Sequence, residues 1–203
     1  MPRLFLPKED LKRIIRQRRR RGADRYDEVW NGTYVMSPLA DNQHQQLATG
    51  LSAAFLAATE GRPGTIVLAG TNVSDRVDQW TRNYRCAEVA VFLPGNPAQD
   101  RGSHWLGGPD LTVEVLSPGD RSRRKFAFYV RVGVQEVLLV DRNPWRLELH
   151  RNEGGELILS ETSTPDSATV IASDLLPVTL RLVAAEPRPR ILVSHEDGRA
   201  WTI

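Results

Sequence analysis

Apolar residues recur at helical spacing in two segments near the N-terminus. Leu11, Ile14 and Ile15 lie on one side of a helix predicted over residues 7–21. A second helix is predicted from Asp41 to about Ala58, and two glycines and a proline follow it and end it. Its apolar stripe consists of Leu47, Leu51, Ala54, Phe55 and Ala58. Each helix is therefore expected to bury one side.

Between these helices the sequence predicts a β-hairpin. Two short runs rich in apolar and aromatic residues, 26–30 and 33–36, flank the dipeptide Asn31-Gly32. The tight turn that joins such strands requires positive φ angles at both central positions, and asparagine and glycine tolerate them best.

Short apolar runs predict that most of the remaining chain is a sheet. The segment 72–84 is polar and is predicted to be a hairpin or a loop, and a final β-hairpin is predicted around Asp197-Gly198. The predicted strands are TIVLAG, EVAVFL, LTVEVL, VQEVLLVD, RLELHR, ELILSET, TVIAS and PVTLRLV.

The strand LTVEVL is followed by a helix and another strand. The helix is predicted from about Arg121 to Val132, with Asp120 as its N-cap and Gly133 at its end. A strand–helix–strand connection places its two strands parallel and adjacent. The predicted fold is therefore α+β, or α/β-like, with a mixed β-sheet flanked by helices.

Composition and charge narrow the class of protein. The 203 residues suit a single domain, and 40% hydrophobic with 26% charged residues is ordinary for a soluble protein. The one cysteine, Cys86, excludes an intrachain disulfide and a cysteine-based zinc site. No secretory signal and no apolar run of about 18 residues is present, so a cytoplasmic protein without a membrane span is predicted.

The net charge of +2 does not by itself indicate a nucleic-acid-binding protein. Basic residues are nevertheless concentrated in two segments, residues 12–21 and 121–131. For the first segment two interpretations stay open: a solvated helix, or a helix that contacts phosphate or a partner chain.

Glu114 is a carboxylate inside the apolar strand LTVEVL. It shares a face of that strand with Thr112 and Leu116. A buried carboxylate is costly unless it is paired, hydrogen-bonded or bound to a metal. Two explanations stay open: a structural ion pair with an arginine, or a metal site.

A metal site requires a second carboxylate, and Glu88 opens the preceding strand. If the two strands pair, Glu88 and Glu114 can converge on one Mg²⁺ or Mn²⁺ ion. Lys125 lies about one turn into the next helix, with Tyr129 on the same face at i+4. Two carboxylates, a divalent cation and a lysine suit the metal-assisted hydrolysis of a phosphodiester.

Several motifs, taken together, resemble the Uma-type putative restriction endonuclease family of the PD-(D/E)XK nuclease superfamily. They extend over about residues 26–183, nearly the whole chain. The matching segments are VWNGTYVMSP, the histidine-containing NQHQQLATGLSAAF, CAEVAVF, and LTVEVLSPGDRSRRKFAFYVRVGVQEVLLVD.

The resemblance implies a restriction-endonuclease-like fold, a Mg²⁺ or Mn²⁺ cofactor and a DNA substrate. The catalytic set that it implies consists of Glu88, Glu114 and Lys125, and the first two of these residues would bind the metal. Glu28 matches an acidic position that adds a ligand or orients a metal-bound water. His44 matches a family histidine whose role, functional or packing, stays open. The accessory and DNA-binding residues that we predict are Ser117, Tyr129, Arg121, Arg123 and Arg124.

The sequence departs from these patterns at two positions. Superfamily members usually carry the lysine two residues after the second acid, where this chain has Leu116, so Lys125 would take that role from the helix. The family usually has Pro-Asp where this chain has Ala87-Glu88. The longer glutamate is expected to shift the ion by about 1 Å, and a misplacement of that size can cost about 100-fold in rate.

The resemblance also divides the chain. We predict a basic N-terminal helix (1–25), a nuclease-like domain (26–183) and a C-terminal tail (184–203), in a protein that forms a homodimer because duplex cleavage needs two active sites or two visits. The leading hypothesis is a metal-dependent DNA endonuclease. The alternatives are a binding or regulatory protein that keeps the nuclease fold with little activity, and a structural protein whose glutamates only form ion pairs.

Overall fold

The computed structural model describes residues 7–37, 39–117 and 121–203. The predicted helices are present as α1 (Lys8–Arg20), α2 (Asn42–Ala58) and α3 (Phe126–Arg131). The strands are β1 (Glu28–Trp30), β2 (Thr33–Val35), β3 (Ile66–Ser74), β4 (Tyr84–Phe92), β5 (Gln99–Asp100), β6 (Trp105–Leu106), β7 (Leu111–Val115), β8 (Glu136–Arg142), β9 (Trp145–Glu153), β10 (Glu156–Ser163), β11 (Ile171–Ala172), β12 (Val178–Val183), β13 (Arg190–His195) and β14 (Ala200–Thr202).

The strands form two sheets. The larger has the order β10-β9-β8-β7-β4-β3-β6-β5, with the hairpin β1–β2 attached to β4. The smaller has the order β11-β12-β13-β14. In the larger sheet β7 and β8 are parallel neighbours, as predicted from the strand–helix–strand connection, while β4 and β7 are antiparallel. The predicted α+β fold with a mixed sheet is therefore confirmed.

Helix α2 packs on one face of the larger sheet. Asp41 caps it by accepting a hydrogen bond of 2.8 Å from the backbone N–H of His44. Its apolar stripe is buried together with Val113 and Val115 of β7 and with the inner side of the smaller sheet. Helix α3 covers the opposite face, where Phe128 and Tyr129 pack against Leu139. Because both faces are covered, every residue of β7 is buried.

The hairpin β1–β2 has the predicted turn, with φ angles of 47° at Asn31 and 83° at Gly32. Strand β1 pairs with β4 as well, through Val29 and Tyr84. This second pairing brings Glu28, at the start of β1, close to the first residues of β4.

The connection between β7 and α3 differs from the prediction. The segment Ser122–Lys125 is a 3-10 turn that leads into α3, because the N–H of Arg124 donates to the carbonyl of Arg121 and tightens the chain. The predicted N-cap Asp120 lies outside the described residues.

The two remaining loop predictions concern residues 72–84 and the C-terminus. Strand β3 extends to Ser74, and a 3-10 turn, Trp80–Arg82, follows. Asp197 and Gly198 lie in the turn between β13 and β14, where Gly198 has a φ angle of 93°. Because β13 also pairs with β12, this hairpin continues the smaller sheet, and the domain boundary at residue 184 stays a prediction.

Within the described ranges, the structure has no helix that is both long enough and apolar enough to span a lipid bilayer.

Candidate active site

Glu88 and Glu114 flank the last pair of the ladder between β4 and β7. That ladder pairs Val89 with Val113, and Glu88 precedes the one residue while Glu114 follows the other. The two strands therefore pair as the sequence hypothesis required.

Glu114 lies at the centre of a buried cluster. Its carboxylate accepts hydrogen bonds from Lys125 Nζ, at 2.8 Å to Oε2 and 3.0 Å to Oε1. The Tyr129 hydroxyl donates to Oε1, and the Ser122 hydroxyl donates to Oε2 at 3.3 Å. Lys125 ends the 3-10 turn and Tyr129 lies four residues later in α3, so one short segment supplies both donors. All of these side chains are buried.

Glu28 brings a second carboxylate to the same lysine. Its Oε1 lies 2.9 Å from Lys125 Nζ and also accepts a hydrogen bond of 2.9 Å from the N–H of Cys86. Its Oε2 accepts a hydrogen bond of 2.5 Å from the indole N–H of Trp30. Lys125 is therefore shared between Glu28 and Glu114, which come from different strands.

Glu88 has a different partner. Its Oε1 lies 2.7 Å from His44 Nε2, and its Oε2 accepts a hydrogen bond from the N–H of Val115. His44 is in the first turn of α2, whose cap Asp41 is bound in turn by Arg142 at 2.8 Å. Glu88 is thus connected to α2 and to the end of β7, next to the Glu114–Lys125 cluster.

Burial and neighbouring charge shift the protonation equilibria of this cluster. Burial, reinforced by the charges of Glu88 and Glu28 and opposed by Lys125, raises the pKa of Glu114 to about 7. Burial lowers the pKa of Lys125, but the two carboxylates outweigh it and hold that pKa well above its usual range. Burial and Glu114 also raise the pKa of the Tyr129 phenol well above its usual range. Lys125 therefore stays an ammonium and Tyr129 stays a hydrogen-bond donor at neutral pH.

The same effects act on His44. Burial disfavours the imidazolium, but the hydrogen bond and charge of Glu88 outweigh it and raise the pKa of His44.

The carboxylates of this region are the type of ligand that a hard divalent cation prefers. Glu28 and Glu114 contact the ammonium of Lys125, Glu88 lies next to them, and oxygen ligands of this kind suit Mg²⁺ or Mn²⁺. Among the described residues, no three His, Cys, Asp or Glu side chains are grouped closely enough to form a metal site. If Glu88 and Glu114 held such an ion, they would supply two ligands, and water or substrate would supply the others, as is common for Mg²⁺.

The three predicted DNA-binding arginines lie at and near the 3-10 turn, and their side chains are exposed. Arg123 Nη2 forms an ion pair of 2.5 Å with the buried carboxylate of Glu148 on β9, and Arg146 pairs with the same carboxylate at 2.8 Å. Ser117, the remaining predicted accessory residue, lies two residues after the end of β7 and is partly buried.

Glu148 was not predicted to matter, although the sequence carries a signal for it. It is a carboxylate in the middle of the alternating strand RLELHR, which is the feature that drew attention to Glu114. For Glu148 the explanation is a structural ion pair with arginines. Burial raises the pKa of Glu148, but His150 and Arg123 outweigh burial and lower it overall.

Asp27, next to Glu28, anchors helix α1 beside the site. Its carboxylate accepts from Arg18 at 2.5 Å and 2.6 Å, from the Tyr34 hydroxyl at 2.5 Å and from the N–H of Ser37 at 2.8 Å. Its side chain is only 1% exposed, while that of Arg18 is 21% exposed. The sequence placed Asp27 inside the predicted strand 26–30, where nothing indicated such a network.

Replacing Asp27 with alanine is expected to lower the free energy of unfolding by about 3 kcal/mol, because the substitution leaves the Arg18 guanidinium and the Tyr34 hydroxyl without their acceptor. Urea unfolding followed by circular dichroism measures the change. Asp24→Ala is the matched control, since the pair that it removes, with Arg19, is exposed and 3.7 Å long. Equal losses for the two variants would contradict the anchoring role of Asp27.

The arrangement of sheet and helices places the chain in a class of nuclease-like α+β proteins. The crystal structure of a putative nuclease belonging to DUF820 from Anabaena variabilis ATCC 29413 has a similar fold, with a TM-score of 0.57. The two proteins are 14% identical, and the similarity covers 73% of this chain and 82% of that one. At this identity the similarity concerns the fold alone.

The chain belongs to the Uma2 family, described as "Putative restriction endonuclease", whose family model matches residues 9–185. This membership confirms the resemblance inferred from the sequence motifs. None of the curated proteins compared with the chain matches it.

Proposed function

We propose that the protein is a metal-dependent endonuclease that hydrolyses phosphodiester bonds of DNA. The observation that carries the proposal is the position of Lys125. The chain leaves the sheet after β7 and forms the 3-10 turn that ends at Lys125. The ammonium of Lys125 then lies 2.8 Å from Glu114, which belongs to β7 itself. A purely structural ion pair does not require this return, since an arginine from a neighbouring strand would satisfy Glu114 equally well.

Glu88 and Glu114 would hold the cation, and a bound divalent ion would polarise the phosphate and lower the pKa of a water molecule. Lys125 acts as a fixed positive charge, because Glu28 and Glu114 keep it protonated. It therefore stabilises the negative charge that develops on the phosphate, or orients the attacking water, and it does not remove a proton.

Glu28 and Tyr129 position these groups. Glu28 holds Lys125 together with Glu114, and its own orientation is fixed by Trp30 and the N–H of Cys86. Tyr129 donates to Glu114 and so fixes one carboxylate oxygen. A charge that is already in place costs no reorganisation when the reaction occurs.

Glu88 replaces the aspartate that is usual in the family, and the longer side chain makes two contacts in this fold. One oxygen reaches the N–H of Val115 and the other reaches His44. Both oxygens are therefore held in place, which offsets the greater freedom of the longer side chain. In this proposal His44 positions Glu88.

The substrate would approach over the 3-10 turn. Arg121, Arg123 and Arg124 are the proposed contacts to its phosphates. Glu148 holds Arg123 by one of its nitrogens, and the other N–H groups of a guanidinium remain able to donate. A homodimer, with one active site for each strand of a duplex, is part of the proposal.

The proposal is tested by cleavage of a supercoiled plasmid in Mg²⁺, in Mn²⁺ and in a chelator. Nicked or linear product is expected with either cation and none with the chelator. If the protein binds DNA but cleaves it with neither cation, it is a DNA-binding module with a nuclease fold. If it binds neither DNA nor metal, the glutamates serve structure alone.

Metal binding is expected to depend on Glu88 even without DNA. Glu88→Ala removes a proposed ligand and should weaken Mn²⁺ binding at least about 10-fold in isothermal titration calorimetry. Glu156→Ala, which removes an exposed glutamate at the start of β10, is the control. Unchanged binding in Glu88→Ala would overturn the assignment of Glu88 as a ligand.

A further inference from the structure

Helix α1 has two sides with different chemistry. Leu11, Ile14 and Ile15 are partly buried, and Arg18, which reaches Asp27, lies on their side of the helix. Successive residues of an α-helix are rotated by about 100°, so Arg16 and Arg20 each point about 160° away from Arg18. Both are exposed.

The exposed basic residues of α1 differ in whether an acidic side chain pairs with them. Lys12 and Arg13 pair with Glu9 and Asp10 at 3.0 Å. Within the ranges that the structure describes, neither Arg16 nor Arg20 forms an ion pair. Being four residues apart, they are neighbours on one face and add two uncompensated positive charges there.

The position of α1 is fixed relative to the candidate active site. Arg18 binds Asp27 through two nitrogens and also donates to the carbonyl of Ser37 at 2.8 Å. The residue after Asp27 is Glu28, which contacts Lys125. The basic face of α1 is therefore held by the residue that directly precedes Glu28 and strand β1.

We infer that the solvent face of α1, defined by Arg16 and Arg20, binds the phosphate backbone of duplex DNA outside the bond that is cleaved. The inference rests on the proposed function in taking DNA as the substrate. The 13 residues of α1 extend over about 20 Å, a length over which a duplex presents on the order of ten phosphates. An anionic membrane surface is disfavoured, because the apolar side of the helix is the side turned toward Arg18 and the protein.

The test measures DNA binding without cleavage. Binding of a fluorescent duplex of about 30 base pairs is followed by anisotropy in a chelator, at salt concentrations from about 50 to 200 mM. Arg16→Gln/Arg20→Gln should weaken binding and reduce the slope of log K against log salt by about 2, since each phosphate contact contributes about 0.9. Glutamine and arginine have similar helix propensities, so α1 should persist.

Two control variants make the result specific. Arg16→Lys/Arg20→Lys keeps the charges and should keep the slope of the unmodified protein. Arg181→Gln/Arg190→Gln removes two charges from the smaller sheet and should leave the slope unchanged.

Three results would overturn the inference. The first is an unchanged slope in Arg16→Gln/Arg20→Gln, and the second is an unmodified protein that binds no duplex. The third is an Arg16→Gln/Arg20→Gln variant that loses binding to vesicles of anionic lipid but keeps its binding to DNA. Plasmid cleavage by the unmodified protein is scored separately. An unchanged slope with intact cleavage rejects the role of α1 alone, whereas a changed slope without any cleavage rejects the nuclease proposal and keeps the role of α1.

Discussion

Glu114→Gln is expected to reduce DNA cleavage by about 1000-fold while the protein stays folded. Glutamine keeps the shape of the side chain and one oxygen for the Tyr129 and Lys125 donors. It removes the negative charge that would hold a cation opposite Glu88. Glu28 still accepts a hydrogen bond from Lys125, so the ammonium keeps one carboxylate partner. The loss should therefore fall on the chemical step.

Initial rates of plasmid nicking in Mg²⁺ measure this effect, and thermal unfolding followed by circular dichroism verifies the fold. Glu156→Gln, at the exposed start of β10, is the control and should keep the full rate. If Glu114→Gln cleaves within about 10-fold of the unmodified protein, Glu114 is not a catalytic group and the ion-pair interpretation of the strand LTVEVL is the correct one.

Lys125→Met is expected to lower the free energy of unfolding at pH 7 by about 3–5 kcal/mol. Methionine has a similar length but no charge, so Glu114 and Glu28 lose the cation between them. Glu114 is 1% exposed and has no access to solvent that could replace the ammonium. The cost is that of an unpaired carboxylate in the interior, or of the proton that neutralises it.

This cost should shrink at pH 5. Burial and the neighbouring carboxylates already raise the pKa of Glu114 to about 7, and the loss of Lys125 removes the group that lowers it. A carboxyl group whose pKa is higher in the folded than in the unfolded protein binds more protons when folded. Its contribution therefore destabilises the protein as the pH rises through the folded pKa and is relieved as the pH falls below it.

Urea unfolding of Lys125→Met and of the unmodified protein at pH 7 and pH 5 measures both effects. In Lys125→Met/Glu114→Gln the unpaired charge is absent, so this double variant should be more stable at pH 7 than Lys125→Met alone. Equal destabilisation at the two pH values, or no recovery in the double variant, would show that the cost arises from packing and not from the charge of Glu114.

Local signals in the sequence were enough to predict much of this fold. The Asn31-Gly32 turn, the apolar stripe of α2 and the strand–helix–strand connection after Glu114 each depend on neighbouring residues. The approach of Lys125 to Glu114 was predictable for the same reason, because only eleven residues separate them. Such local patterns can be read without knowing how the rest of the chain folds.

The contacts that could not be predicted join distant parts of the sequence. Glu28 reaches Lys125 only because β1 pairs with β4, and Glu88 meets His44 only because α2 packs on the same region of the sheet. Neither pairing leaves a periodic trace in the sequence. The carboxylate of Glu148 did leave such a trace, but its pairing with Arg123 depends on where β9 lies relative to the 3-10 turn.

The salt bridge between Glu28 and Lys125 also bears on how the protein folds. It closes a segment of nearly one hundred residues, so the entropy of closing that loop is lost before the contact forms. Glu28 and Lys125 come together only after β1, β4 and β7 have assembled, because Glu28 lies on β1, Lys125 follows β7, and β4 joins these two strands. A partly folded chain, or a fragment that begins after β1, would therefore have secondary structure but lack the complete cluster of Glu28, Glu114 and Lys125.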